Sequence, residues 1–239
     1  REWGEELRPR FLNALKIVQP GMYRTILQAF LDFDIPDDAE PVMKVFLNGK
    51  VEDFADQKLL IRTVYVLDEE YAQKSISEYL ENHKKDEDFN PELKTYLINT
   101  LERLEWYGNW EITDEKETAE NGLKDERIRF EMANSLDPND DIVNFSMPMS
   151  ISWDPGVLKP IGTEETYTTN NVSFEVTPDE LTLRIDYPKE HTYIEKKFTI
   201  KEGTGRNVGR IYLQFPIPGS INKRTKEPET GWLEIEKIG

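Results

Sequence analysis

The apolar residues of this chain change their spacing once, close to residue 110, and that change limits its fold more than any other feature. Before it, apolar residues return every three or four positions; after it, every second position. The first spacing matches the turn of an α-helix and the second the alternating faces of a β-strand.

Leu7, Phe11, Leu15 and Val18 form the first helical stripe, with Pro9 expected in its first turn and Pro20-Gly21 as its stop. Met22, Ile26, Leu27, Phe30 and Leu31 form the second, broken by Asp34-Ile35-Pro36-Asp37-Asp38. A short third helix is expected around Pro41–Leu47, closed by Asn48-Gly49 as a left-handed cap. Residues 52–67 predict a fourth, although the β-branched run within Leu59–Leu67 leaves a buried strand as the alternative. Asp68 caps a fifth helix carrying Tyr71, Ile76, Tyr79 and Leu80. Asn90-Pro91-Glu92 combines an N-cap, a first-turn proline and an acid at the positive end of the dipole, and opens a sixth helix ended by Gly108. Short connections between such helices favour antiparallel pairs in a small bundle, and no repeat period argues for a stacked array.

Beyond Trp110, Ile128-Phe130-Met132, Val143-Phe145-Met147-Met149, Val172-Phe174-Val176 and Leu181-Leu183-Ile185-Tyr187 each alternate with polar residues. Thr177-Pro178-Asp179-Glu180 reads as a tight turn, and 193–200, 208–215 and 232–238 read as further strands. A short helix is expected near Glu117–Asp125. The whole predicts an α+β chain: an N-terminal all-helical bundle over 1–108, then a C-terminal antiparallel β-sandwich or barrel of about seven or eight strands over 109–239.

The chain has no cysteine, which excludes disulfides, thiol catalysis and cysteine-based zinc sites. The same lack fits the cytoplasm, with secretion as an open alternative; the first residue is Arg1 rather than Met, so a removed targeting segment also stays open. No run approaches the roughly 20 apolar residues of a membrane helix. Two histidines, His83 and His191, stand in contexts typical of surface residues, and no nucleophile elbow accompanies them. Gly203–Gly209 lacks the spacing of a phosphate-binding loop and reads as a hairpin turn. Asp137-Pro138-Asn139-Asp140-Asp141 gathers oxygen ligands that suit calcium, but without EF-hand spacing it reads first as a turn. No cofactor, metal or catalytic residue is expected.

The net charge is −17, which disfavours nonspecific binding to nucleic acid. It is unevenly placed: residues 111–183 carry net −12 and residues 184–226 net +6. That basic stretch, with interleaved tyrosines, either meets an acidic partner or pairs with the acidic strands beside it. The candidate binding residues are Arg184, Lys196, Lys201, Arg206, Arg210, Tyr193 and Trp232. The expected function is a non-enzymatic protein-interaction or scaffold role. A β domain binding carbohydrate or another polar polymer comes second, with Trp153, Trp232, Tyr167 and Tyr193 as stacking faces. A hydrolase using carboxylates alone comes third.

Overall fold

The computed structural model describes residues 2–116, 124–145, 149–151, 158–160, 172–187, 192–204, 206, 208 and 210–238. The chain divides into two compact units, Arg1–Leu104 with Met132–Asp140, and Glu105–Glu131 with Asp141–Gly239.

The first unit contains α1 (Glu2–Leu15), α2 (Tyr23–Phe33), α3 (Ala39–Leu47), α4 (Phe54–Leu67), α5 (Glu69–Asn82) and most of α6 (Pro91–Trp106). Residues 54–67 are a helix and not the alternative strand. The Asp53 side chain accepts from the Asp56 N–H at 2.9 Å and starts it. Leu60, Ile61, Val64 and Tyr65 are buried together with Arg62 and Thr63, so α4 is enclosed on nearly every side. That burial, with α2, α3 and α5 all packed on α4, outweighs the weak preference of β-branched residues for strands. The two N-caps expected from the sequence form: Asp68 accepts from the Tyr71 N–H, and Asn90 accepts from the N–H groups of Glu92 and Leu93. Pro9 is a correction. Helix α1 begins at Glu2, so Pro9 lies inside the helix, where it removes one N–H from the ladder.

The second unit is built around a closed antiparallel barrel rather than a sandwich. Its strands are β1 (Gly108–Lys116), β2 (Arg127–Glu131), β3 (Ile142–Phe145), β6 (Val172–Val176), β7 (Glu180–Tyr187), β8 (Thr192–Glu202), β9 (Ile211–Ile221) and β10 (Pro228–Ile238). They run in the order β1-β10-β9-β8-β7-β6-β3-β2, with β2 closing onto β1. Two further strands, β4 (Met149–Ile151) and β5 (Leu158–Pro160), pair with each other. The period-2 pattern supplies the barrel core: Trp110, Ile112, Ile128, Phe130, Val143, Val172, Phe174, Leu183, Phe198, Leu213, Phe215, Leu233 and Ile235 are all buried. Eight strands leave room for a filling of side chains. Trp106 stacks on Trp110 at 5.1 Å and meets Phe130 edge-on, so aromatic rings fill the end where β1 begins. Near the other end, Gly231 lies opposite Phe215, and a Cβ there would come within 2.6 Å of that ring. The segment expected to be helical near 117–125, and Met147, Trp153, Tyr167 and His191, lie wholly or mostly outside the described residues.

No described helix is long and apolar enough to cross a membrane.

Candidate functional site

Four antiparallel strands place a polar row on the outside of the barrel. Lys201 of β8 is opposite Tyr212 of β9, Tyr212 is opposite Glu234 of β10, and Glu234 is opposite Asp114 of β1. Leu233 and Ile235 face the core, so Glu234 between them faces outward. It is nonetheless buried, because its neighbours close over it. Tyr212 donates its hydroxyl to Glu234 Oε2 at 2.5 Å. Thr113 Oγ1 and Arg210 Nη1 donate to Oε1 at 2.7 and 2.6 Å. Thr113 reaches in because a bulge between Ile112 and Asp114 interrupts the β1–β10 register.

Burial pushes the Glu234 carboxyl upward, but the hydrogen bonds from Tyr212 and Thr113 and the Arg210 charge outweigh it, so its pKa lies below the usual glutamate value. The Tyr212 hydroxyl is raised, chiefly by the hydrogen bond it gives to Glu234. Trp232, two residues before Glu234 on the same strand face, is half-buried and meets the Tyr212 ring edge-on at 5.6 Å.

The structure distributes the seven sequence-derived candidates over three places. Lys201, Arg210 and Trp232 gather around Tyr212 on this outer face, and Arg206 lies exposed in the loop between β8 and β9 that Gly203 and Arg210 close with a backbone hydrogen bond. Among the described residues neither Lys201 nor Arg206 has a carboxylate partner, whereas Arg210 is paired with Glu234. Arg184 and Tyr193 form a separate pair across β7 and β8, the guanidinium 4.0 Å from the ring centre, with Tyr193 half-exposed. Lys196 belongs with neither: it points into the barrel.

Sequence reasoning missed Glu234 and Thr113. Glu234 sits at an ordinary outward position of an alternating strand, and only the three donors converging on it set it apart. It also missed a cleft of about 750 Å³ within the helical unit, lined by Gly21, Asp53, Asp56, Arg62, Tyr96 and Asp137 among others. There the buried Asp56 carboxylate accepts from the Gly21 N–H at 2.7 Å. The oxygen-rich loop at 137–141 does not converge on a point: Asp137 accepts from the Asn139 N–H, Asp140 from the Ser135 hydroxyl, and Asp141 from Tyr107 at 2.6 Å. Among the described residues no cluster of three or more His, Asp or Glu is arranged to hold a metal ion.

No family model, no curated protein and no solved structure matches this chain.

Proposed function

We propose that this chain is a non-enzymatic interaction protein whose outer β8–β9–β10 face engages an acidic surface on a protein partner. The observation that carries this reading is the placement of Lys201 and Arg206. On a chain of net charge −17, both are exposed and have no carboxylate partner among the described residues. Long-range attraction from such cations steers an acidic partner and sets its register. The Arg210–Glu234–Tyr212 network beside them holds its donors in one arrangement, and Trp232 offers a partly exposed aromatic anchor of the kind that dominates binding energy. The reading includes a cytoplasmic location and two domains, 1–108 and 109–239, each offering a surface.

The test compares wild type with a Lys201→Glu/Arg206→Glu variant in a pull-down at low and high salt. A stoichiometric acidic partner held at low salt, released at high salt and lost by the variant supports the reading. Equal retention by both proteins overturns it, as does robust turnover in a hydrolase screen that a point substitution abolishes.

A second reading, binding of a polar polymer, is favoured by the half-exposed Tyr193 ring beside Arg184. A glycan array without hits on the intact protein sinks it.

A further inference from the structure

Lys196 is the charged side chain the fold treats most unusually. It is 8 % exposed, at an inward position of β8 directly opposite Leu183 of β7. Its Nζ lies 5.1 Å from the Phe215 ring centre and 5.8 Å from that of Phe198. No carboxylate pairs with it among the described residues. A buried lysine without a counter-charge is rare, because desolvating an ammonium costs more than ring contacts return. The described inward residues of the neighbouring strands are apolar: Leu181 and Leu183 on β7, Leu213 and Phe215 on β9, Gly231 and Leu233 on β10. Among the described residues, Glu115 of β1, half-buried opposite Leu233, is a charged group on that side of the sheet. Glu195 and Lys197 flank Lys196 but point outward and are exposed.

The side chain is not wholly enclosed, since 8 % of its surface stays exposed. The β8–β9 ladder runs from Glu202↔Ile211 to Thr199↔Gln214 and goes no further. Pro216 and Pro218, which follow on β9, lack the N–H a continued ladder needs. Lys196 lies three residues beyond the last rung, where the two strands are no longer tied.

We propose that Lys196 is a nucleophilic amine that captures a small apolar carbonyl compound at this opening of the barrel, independently of the outer basic face. The Nζ lone pair attacks the carbonyl carbon and forms the C–N bond, while a proton passes from nitrogen to oxygen to give a carbinolamine. Loss of water then leaves an imine, so no oxidant or reductant is consumed. The Phe198 and Phe215 rings supply the apolar surroundings that hold the compound's body and disfavour rehydration. Burial pushes the amine down to about 8. At neutral pH that leaves roughly 200–300 times as much free amine as an ordinary lysine has.

The experiment treats the intact protein with limiting benzaldehyde and cyanoborohydride, which reduces the imine to a stable benzylamine, and maps the sites by peptide mass spectrometry. At pH 7 Lys196 is expected to label at least tenfold faster than Lys201. Its advantage should shrink as pH rises above 8, where its own amine is already largely free. Labelling of Lys196 at or below the rate of Lys201 overturns the proposal, as does a profile that parallels that of Lys201. In a Lys196→Met variant the fast site should vanish with the slow sites unchanged; persistence of a fast site elsewhere also overturns it. The wild-type comparison decides the matter even where that variant does not fold.

Discussion

Arg62 Nε donates to the Ser135 carbonyl at 2.7 Å, although 73 residues separate them in the chain. The same guanidinium donates to the Ala133 carbonyl at 2.9 Å and to the Tyr65 hydroxyl at 2.7 Å. Arg62 is 1 % exposed, in the middle of the central helix α4. It thus holds a loop from between β2 and β3 as part of the helical unit. Removing the guanidinium strands two carbonyls and a hydroxyl and leaves a void. Arg62→Ala should cost about 3–5 kcal/mol, read as a lowered urea midpoint. A loss under 1 kcal/mol would show that water replaces these bonds at little cost.

The same contact makes a prediction about autonomy. A fragment of residues 1–108 lacks Ala133 and Ser135, and with them two acceptors of the buried Arg62. It should melt well below the intact chain by circular dichroism. Appending residues 132–140 through a flexible linker should restore part of the difference. If the bare fragment melts as the intact chain does, the loop is dispensable to the helical unit.

These contacts explain how much of the structure was legible in the sequence. The periods revealed the helices and most barrel strands because each residue reports its own face. The caps at Asp68 and Asn90 were equally local. Barrel against sandwich was not legible, because closure depends on β2 returning to β1, and alternation within one strand says nothing about its neighbours. The role of Arg62 was hidden for the same reason: within 52–67 it looked like an interruption in an apolar run. The basic stretch was visible as composition. Its division into an outer group, an Arg184–Tyr193 pair and an inward Lys196 depended on strand parity and register, which local charge counts do not carry.

Glu234 should shape the acid limb of stability. Its folded pKa lies below its ordinary value, so its contribution is fully present above the ordinary glutamate range and is lost as pH falls through the lowered pKa. Glu234→Gln should weaken the bonds from Tyr212 and Arg210, costing about 1–2 kcal/mol at pH 7. The gap between wild type and variant should narrow as pH falls below the ordinary glutamate value. Urea titrations from pH 7 to pH 3 check this, and a gap that does not narrow on acidification would mean that the carboxylate charge contributes nothing to the network.

Lys196 should act in the opposite sense, at alkaline pH. Its folded pKa, about 8, is lower than the ordinary lysine value of 10.5, so the unfolded chain binds more protons between these two values. Stability therefore rises as pH increases through that window, and the cost of the buried amine is fully present below it. Lys196→Met keeps the apolar stem and removes the amine. At pH 7 it should be more stable than wild type by roughly 2 kcal/mol, allowing for partial solvent access of the amine. The advantage should shrink as pH rises from 8 to 10.5, because wild type then sheds the proton it must lose to be buried. Paired urea melts at pH 7 and pH 10 measure it. A variant less stable than wild type at both pH values would mean that the ring contacts of Lys196 with Phe198 and Phe215 outweigh its desolvation, and that the amine is held charged in the barrel.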